Sequence, residues 1–158
     1  MTDDPFHRTR LEVRFGDVDA FGHVNNAVFF SYVEQARVRY LMDALQIEGI
    51  QRLPLILARV EMDYRTPVFF GEPLEVTSRV EWIGRTSFGM NHSVLSGHDL
   101  HVAAESQTVL VAYDYEAGHP MPVPDDWRRR FEAIEGRPLD RTRAAATDGA
   151  RAAAGATA

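Results

Sequence analysis

The chain has 158 residues, 45% hydrophobic and 25% charged, the balance of one soluble globular domain with a sizeable core. A net charge of −6 without any basic run excludes a nucleic-acid surface, and no apolar stretch approaches the ~18 residues of a membrane span. The absence of cysteine excludes thiolate nucleophiles, thiolate metal sites and disulfides. The segment Met1–Arg8 lacks the apolar core of a signal peptide, so the expected location is the cytoplasm, with no membrane and no nucleic acid as partners.

From residue 8 to 15, Leu11, Val13 and Phe15 alternate with Glu12 and Arg14, which predicts a strand with one wet face. A glycine-punctuated loop follows, Gly16-Asp17-Val18-Asp19-Ala20-Phe21-Gly22-His23-Val24, and then Asn25-Asn26 opens a long amphipathic helix. Phe29, Tyr32, Val33, Ala36, Tyr40 and Ala44 step by threes and fours along its apolar face; Ser31, Glu34, Gln35, Arg37 and Arg39 form the wet one. Asn25 or Asn26 caps the start, and the helix is expected to end near Leu45 to Gly49, where Gly49 can serve as the stop. The first-turn N–H groups and the helix dipole therefore point back at two carboxylates and an imidazole. Such carboxylates either brace the loop or do chemistry.

Four further strands are predicted, over 57–66, 74–82, 88–95 and 101–115, separated by Pro67, Gly71-Glu72-Pro73, Gly84-Arg85-Thr86-Ser87 and Ser96-Gly97-His98-Asp99. A short helix is expected over 125–134. From Arg137 the apolar periodicity stops, which divides the chain into a domain at 1–136 and an Ala-rich, disordered tail at 137–158. One long helix before an antiparallel meander is an α+β fold. A helix of about 18 residues is roughly 27 Å long, a match to the width of a five-stranded sheet.

The run Gly-Asp-Val-Asp-Ala-Phe-Gly-His-Val-Asn-Asn, with Ala36-Arg37-Val38-Arg39-Tyr40-Leu41 in the following helix, resembles the acyl-CoA thioesterases of the 4-hydroxybenzoyl-CoA thioesterase type, and most of all their long-chain acyl-CoA branch. The resemblance spans about residues 8 to 132. It implies the hotdog fold, one long central helix wrapped by a five-stranded antiparallel sheet, pairing edge to edge as a homodimer or homotetramer with the active site between subunits. It further implies hydrolysis of an acyl-CoA thioester without cofactor.

Thioester hydrolysis needs a carboxylate that attacks the carbonyl or deprotonates water, and donors for the negative charge that builds on the carbonyl oxygen. The resemblance assigns Asp19 as the catalytic acid and leaves Asp17 to hold the loop. His23 orients water, bonds the carbonyl or fills the loop. The related plant acyl-carrier-protein thioesterases share the His and its spacing to an Asp, but their Asn stands where this chain has Phe21. Asn25 and Asn26 mark the oxyanion site at the helix N-terminus. Glu34 is the alternative base, against its reading as a solvated residue. The Gly84-Arg85-Thr86-Ser87 turn resembles the family's turn near the CoA nucleotide, where Arg85 would pair with a phosphate and Thr86 and Ser87 add hydroxyls. Tyr32, with Phe29, Phe30, Tyr40, Phe69, Phe70 and Met90, lines an acyl tunnel or packs the core. His92, His98 and His101 lack compact ligand spacing and read as a solvated hairpin rather than zinc ligands. Two other functions fit the fold, a dehydratase on acyl thioesters and a non-catalytic acyl-CoA-binding module.

Overall fold

The computed structural model describes residues 7–49, 51 and 53–140. Five strands form one antiparallel sheet: β1 (His7–Glu12), β2 (Leu55–Tyr64), β3 (Pro73–Ile83), β4 (Ser87–Ser96) and β5 (His101–Asp114), in the order β1-β3-β4-β5-β2. A two-residue β6 (His119–Pro120) pairs with the end of β5. The helix α1 (Asn26–Leu45) is 20 residues long and packs against β1, β3 and β4, while α2 (Asp125–Glu135) covers the far end of the sheet. Period-2 alternation explains the sheet: Leu74, Val76, Ser78 and Val80 of β3 face α1, as do Phe88, Met90, His92 and Val94 of β4.

The apolar layer has two parts. Phe29, Tyr32, Val33 and Ala36 of α1 pack with Leu74, Val76, Val94 and Ala104. Tyr40, Leu41, Ala44 and Leu45 pack with Ile83, Phe88, Leu110 and Phe131 of α2. Between them a polar belt crosses the sheet. The ring of His92 is held between the hydroxyls of Ser78 (2.9 Å) and Thr108 (3.2 Å), all three buried. His92 is therefore not the solvated hairpin residue expected; it shares the inward register of Met90 and Val94. His98 and His101 do lie at the β4–β5 hairpin, where His101 pairs with Asp99.

Burial, helped by the nearby charge of Arg37, lowers the His92 pKa from 6.5 to about 3. As the pH falls below 6.5 the unfolded chain takes up a proton that the folded chain refuses, so stability is lost between pH 6.5 and 3. The expected loss is about 1.4 kcal/mol per pH unit, or roughly 2 kcal/mol from pH 6.5 to 5. Urea midpoints at the two pH values check this, and His92→Gln should remove that part of the dependence.

Several local boundaries differ from expectation. The first strand ends at Glu12, and Phe15 is exposed in a 3-10 turn (Phe15–Asp17), because the buried Asp17 draws the chain inward there. The helix α1 ends at Leu45, within the expected 45–49, but Gln46 at φ 53° caps it in place of Gly49. Arg37 is buried rather than on the wet face. Packing also continues past residue 136. Leu139 is fully buried, its carbonyl accepts the Ile83 N–H at 2.6 Å, and its own N–H reaches Glu132 at 3.1 Å. Residues 141–158, the rest of the expected tail, lie outside the described residues.

Candidate active site

The loop before α1 is built on Asp17. Its carboxylate is 3% exposed and accepts from the Arg14 backbone N–H at 2.9 Å, the Arg14 guanidinium at 2.9 Å and the Tyr32 hydroxyl at 2.8 Å. Burial alone would raise its pKa; the Arg14 and Tyr32 hydrogen bonds outweigh burial and hold it below the usual carboxylate range. The Asp17 carbonyl in turn accepts the Asn25 N–H at 2.9 Å. Asp17 thus ties the start of the loop at Arg14 to α1 and spends its carboxylate oxygens doing so.

Tyr32, expected at the substrate, is buried with its hydroxyl donated to Asp17, and burial and that carboxylate push its pKa far up. Tyr32→Phe is expected to cost about 1.5–3 kcal/mol in denaturant unfolding, the worth of one hydrogen bond to a charged group, and to change turnover by less than about threefold.

Asp19 opens a tight turn closed by the Gly22 N–H on the Asp19 carbonyl (3.0 Å), with Gly22 at φ 85°, a conformation glycine adopts without a Cβ clash. The Asp19 carboxylate is half-buried and accepts the Phe21 N–H at 2.9 Å and the Asn25 amide at 3.3 Å. Asn25 is the helix cap: its side-chain oxygen accepts the Ala27 N–H at 2.9 Å. One side chain therefore joins the Asp19 carboxylate to the N-terminus of α1.

Beside this turn a groove of about 310 Å³ opens between the start of α1 and the end of β2, lined by His23, Asn26, Phe29, Tyr64, Arg65 and Thr66. His23 lines the groove directly, its Nδ1 3.3 Å from the Val24 carbonyl and its ring stacked on Phe21. Asp19 is not among the lining residues; its carboxylate meets Asn25, next to the lining residue Asn26. Tyr64 donates its hydroxyl to the Asn26 carbonyl at 2.8 Å and packs edge-on against Phe29, fixing β2 to the mouth of the helix. This contact is not evident from the sequence. Its one signal is an amphipathic tyrosine at a strand end, apolar in body with a polar tip.

The structure brings Asp19, His23, Asn25 and Asn26 together and leaves the Arg85-Thr86-Ser87 turn apart. That turn joins β3 to β4 at the α2 end of the sheet, where Ile83 and Phe88 pack under the C-terminal half of α1. The two sites are thus on the order of 30 Å apart, the length of the helix. The turn itself is braced by its backbone: the Arg85 carbonyl accepts from Val123 and the Thr86 carbonyl from Ala112, both at 2.8 Å, while the Arg85 side chain is exposed. Glu34 is exposed and pairs with Arg37 at 3.5 Å. Of the residues weighed for an acyl tunnel, Phe29, Tyr40 and Met90 are fully buried core, and Phe30, Phe69 and Phe70 are surface residues.

Among the described residues no group of three or more His, Cys, Asp or Glu side chains stands where it could hold a metal ion, and no helix is long and apolar enough to cross a membrane.

Residues 13–131 match the family model of the thioesterase-like superfamily. The 1,4-dihydroxy-2-naphthoyl-CoA hydrolase of Synechococcus elongatus is 30% identical over 138 residues, which cover 80% of this chain and 96% of that protein. The long-chain acyl-CoA thioesterase FadM of Escherichia coli is 22% identical over 129 residues, covering 80% and 98%. A thioesterase from Thermus thermophilus, crystallised with coenzyme A and zinc, is 40% identical with a TM-score of 0.77, covering 88% of this chain and 100% of its own. The chain belongs to the thioesterase-like superfamily and is a thioesterase of the hotdog fold.

Proposed function

We propose that the protein hydrolyses an acyl-CoA to the free acid and CoA, with Asp19 as the reacting carboxylate and the first turn of α1 as the oxyanion donor. The observation that carries this reading is the double bond of Asn25, which gives its amide to Asp19 and takes the Ala27 N–H. A carboxylate and a helix N-terminus are thereby held in fixed relation, beside the groove that His23 and Asn26 line. The Ala27 and Val28 N–H groups are already taken by Asn25, which makes the Asn26 N–H the donor for the thioester oxygen. Negative charge growing on that oxygen meets this donor and the positive end of the helix. Asp19 activates the water that adds to the carbonyl, or adds to it first and is released by water. In the first course the water oxygen ends in the acid. In the second the thiolate leaves as an anhydride forms, and water cleaves that anhydride to the free acid and the Asp19 carboxylate. In both the thiolate takes up a proton.

A homodimer completes the site in this reading. β2 is an edge strand whose outer backbone groups have no neighbour in the sheet among the described residues, and Leu57 and Tyr64 are exposed along it. Antiparallel pairing of two such edges brings the α2 end of one subunit toward the Asp19 loop of the other. Arg85 of the partner subunit then serves the CoA phosphates, supported by the hydroxyls of Thr86 and Ser87. CoA thioesters are intracellular metabolites, so the working location is the cytoplasm.

The test is thiol release over a panel of short, long and aromatic acyl-CoAs. Hydrolysis of at least one with kcat/KM of about 10⁴ M⁻¹s⁻¹ or more is expected, the low end of ordinary enzymes. Tight acyl-CoA binding without thiol release would make the protein a binding module, and hydration of an enoyl thioester would make it a dehydratase.

A further inference from the structure

The turn that joins β3 to β4 is a two-residue hairpin, Arg85-Thr86, closed by the Gly84 N–H on the Ser87 carbonyl at 2.7 Å. The helix α2 grips it through Arg128, whose guanidinium donates from one nitrogen to the Gly84 carbonyl and, at 3.5 Å, to the Arg85 carbonyl. The Arg85 carbonyl also accepts the Val123 N–H at 2.8 Å, just before α2 begins. Both carbonyls of the turn therefore face α2.

The peptide bonds of this turn are trans. A trans peptide is planar, with its C=O and N–H pointing to opposite sides. Because the Gly84 and Arg85 carbonyls face α2, the N–H groups of Arg85 and Thr86 face away from it. Neither N–H has an acceptor among the described residues. The Arg85 guanidinium and the hydroxyls of Thr86 and Ser87 have no hydrogen-bond or ion-pair partner among those residues either, and none of the three residues is buried. Two successive N–H groups presented by one turn form a concavity that binds anions. A free guanidinium fork and two hydroxyls are the side-chain complement of a phosphate. Every donor of the turn that is not spent on closing it is thus open on the side away from α2.

We infer that the N–H groups of Arg85 and Thr86 bind a phosphate oxygen of the CoA nucleotide, and that Arg128 is the positioning residue that keeps them turned outward. This rests on the proposed reading of the turn as the CoA-phosphate contact, and adds to it a backbone receptor and a residue of α2. Arg128 does not itself meet the phosphate, since it is spent on the two carbonyls. Loss of its side chain frees the Gly84–Arg85 peptide to rotate, which loosens the nucleotide site and leaves the Asp19 loop untouched.

Thiol release by the intact protein, Arg128→Met and Arg85→Ala tests the inference, on the best acyl-CoA and on the same acyl group carried by pantetheine, which has no phosphate. Arg128→Met should raise KM for the acyl-CoA at least about tenfold, with kcat held within about threefold and the acyl-pantetheine constants unchanged. A mere brace of the fold would alter both substrates alike, and that result would overturn the inference. So would a raised KM in Arg85→Ala with none in Arg128→Met, which leaves the phosphate contact in place and removes the positioning residue. If neither variant raises KM, the inference falls together with the reading of the turn, while the thioesterase stands. Should Arg128→Met fail to fold, the intact protein decides by NMR. Titration with adenosine 3′,5′-bisphosphate should move the amide protons of Arg85 and Thr86 downfield; amides that stay in place would overturn the proposal.

Discussion

Phe131→Ala is expected to lower the stability of the folded protein by about 3–5 kcal/mol, the cost of deleting a fully enclosed aromatic ring. Phe131 is the single fully buried side chain of α2, and its ring lies 5.2 Å from that of Phe88 and 6.1 Å from that of Tyr40. It joins the C-terminal helix to both the sheet and α1. The site cannot collapse around the gap, because its walls are fixed from two sides. Glu135 accepts from the Tyr40 hydroxyl at 2.6 Å and the Val80 N–H at 2.8 Å, and Leu139 is pinned to Ile83. Against a total of about 5–15 kcal/mol this is a large fraction. The urea midpoint of the variant, with the slope unchanged, measures it.

Asp19→Asn is expected to lower kcat/KM by about a hundredfold or more, some 2.7 kcal/mol of lost transition-state stabilisation, while the fold persists. Asparagine has the same shape and can still accept the Phe21 N–H, so the turn closed by Gly22 stays. What disappears is the ability to add to a carbonyl or to take a proton from water. Asp17 gives the contrast. Its oxygens are taken by Arg14 and Tyr32, so its loss would act through stability and loop order, with no acid removed from the chemistry. Steady-state thiol release from the best substrate of the panel, with circular dichroism on the same samples, separates the two.

The parts of the site governed by local rules were readable in the sequence. Asn25 as cap and the first turn of α1 facing the loop follow from chemistry within a few residues. So does the existence of the five strands, but not their full pairing. The expected meander holds for β3, β4 and β5, whereas β2 pairs with β5 and not with β3, which follows it in the chain. Which side chains face inward at polar positions was harder. His92 falls in register between Met90 and Val94, and Arg37 lies four residues from both Val33 and Leu41; each pattern pointed to burial, but charge and polarity argued for solvent. Tyr32 was correctly inward yet assigned to substrate, because nothing local shows that Asp17, fifteen residues earlier, takes its hydroxyl. The end of α1 at Leu45 falls within the expected 45–49, but the cap is Gln46, in a conformation that glycine usually adopts, and not Gly49. The separation of Arg85 from Asp19 belongs to topology alone: two motifs near each other in a family pattern sit at opposite ends of one helix.

The most direct test of the central claim is single-turnover thiol release, with protein in excess over the best acyl-CoA, for the intact protein and Asp19→Asn. Enzyme excess removes product release and isolates the chemical step. Release by the intact protein is expected to be rapid and to slow by about a hundredfold in the variant, with substrate binding preserved. Equal rates for the two would contradict it and move the reacting group to His23 or Glu34.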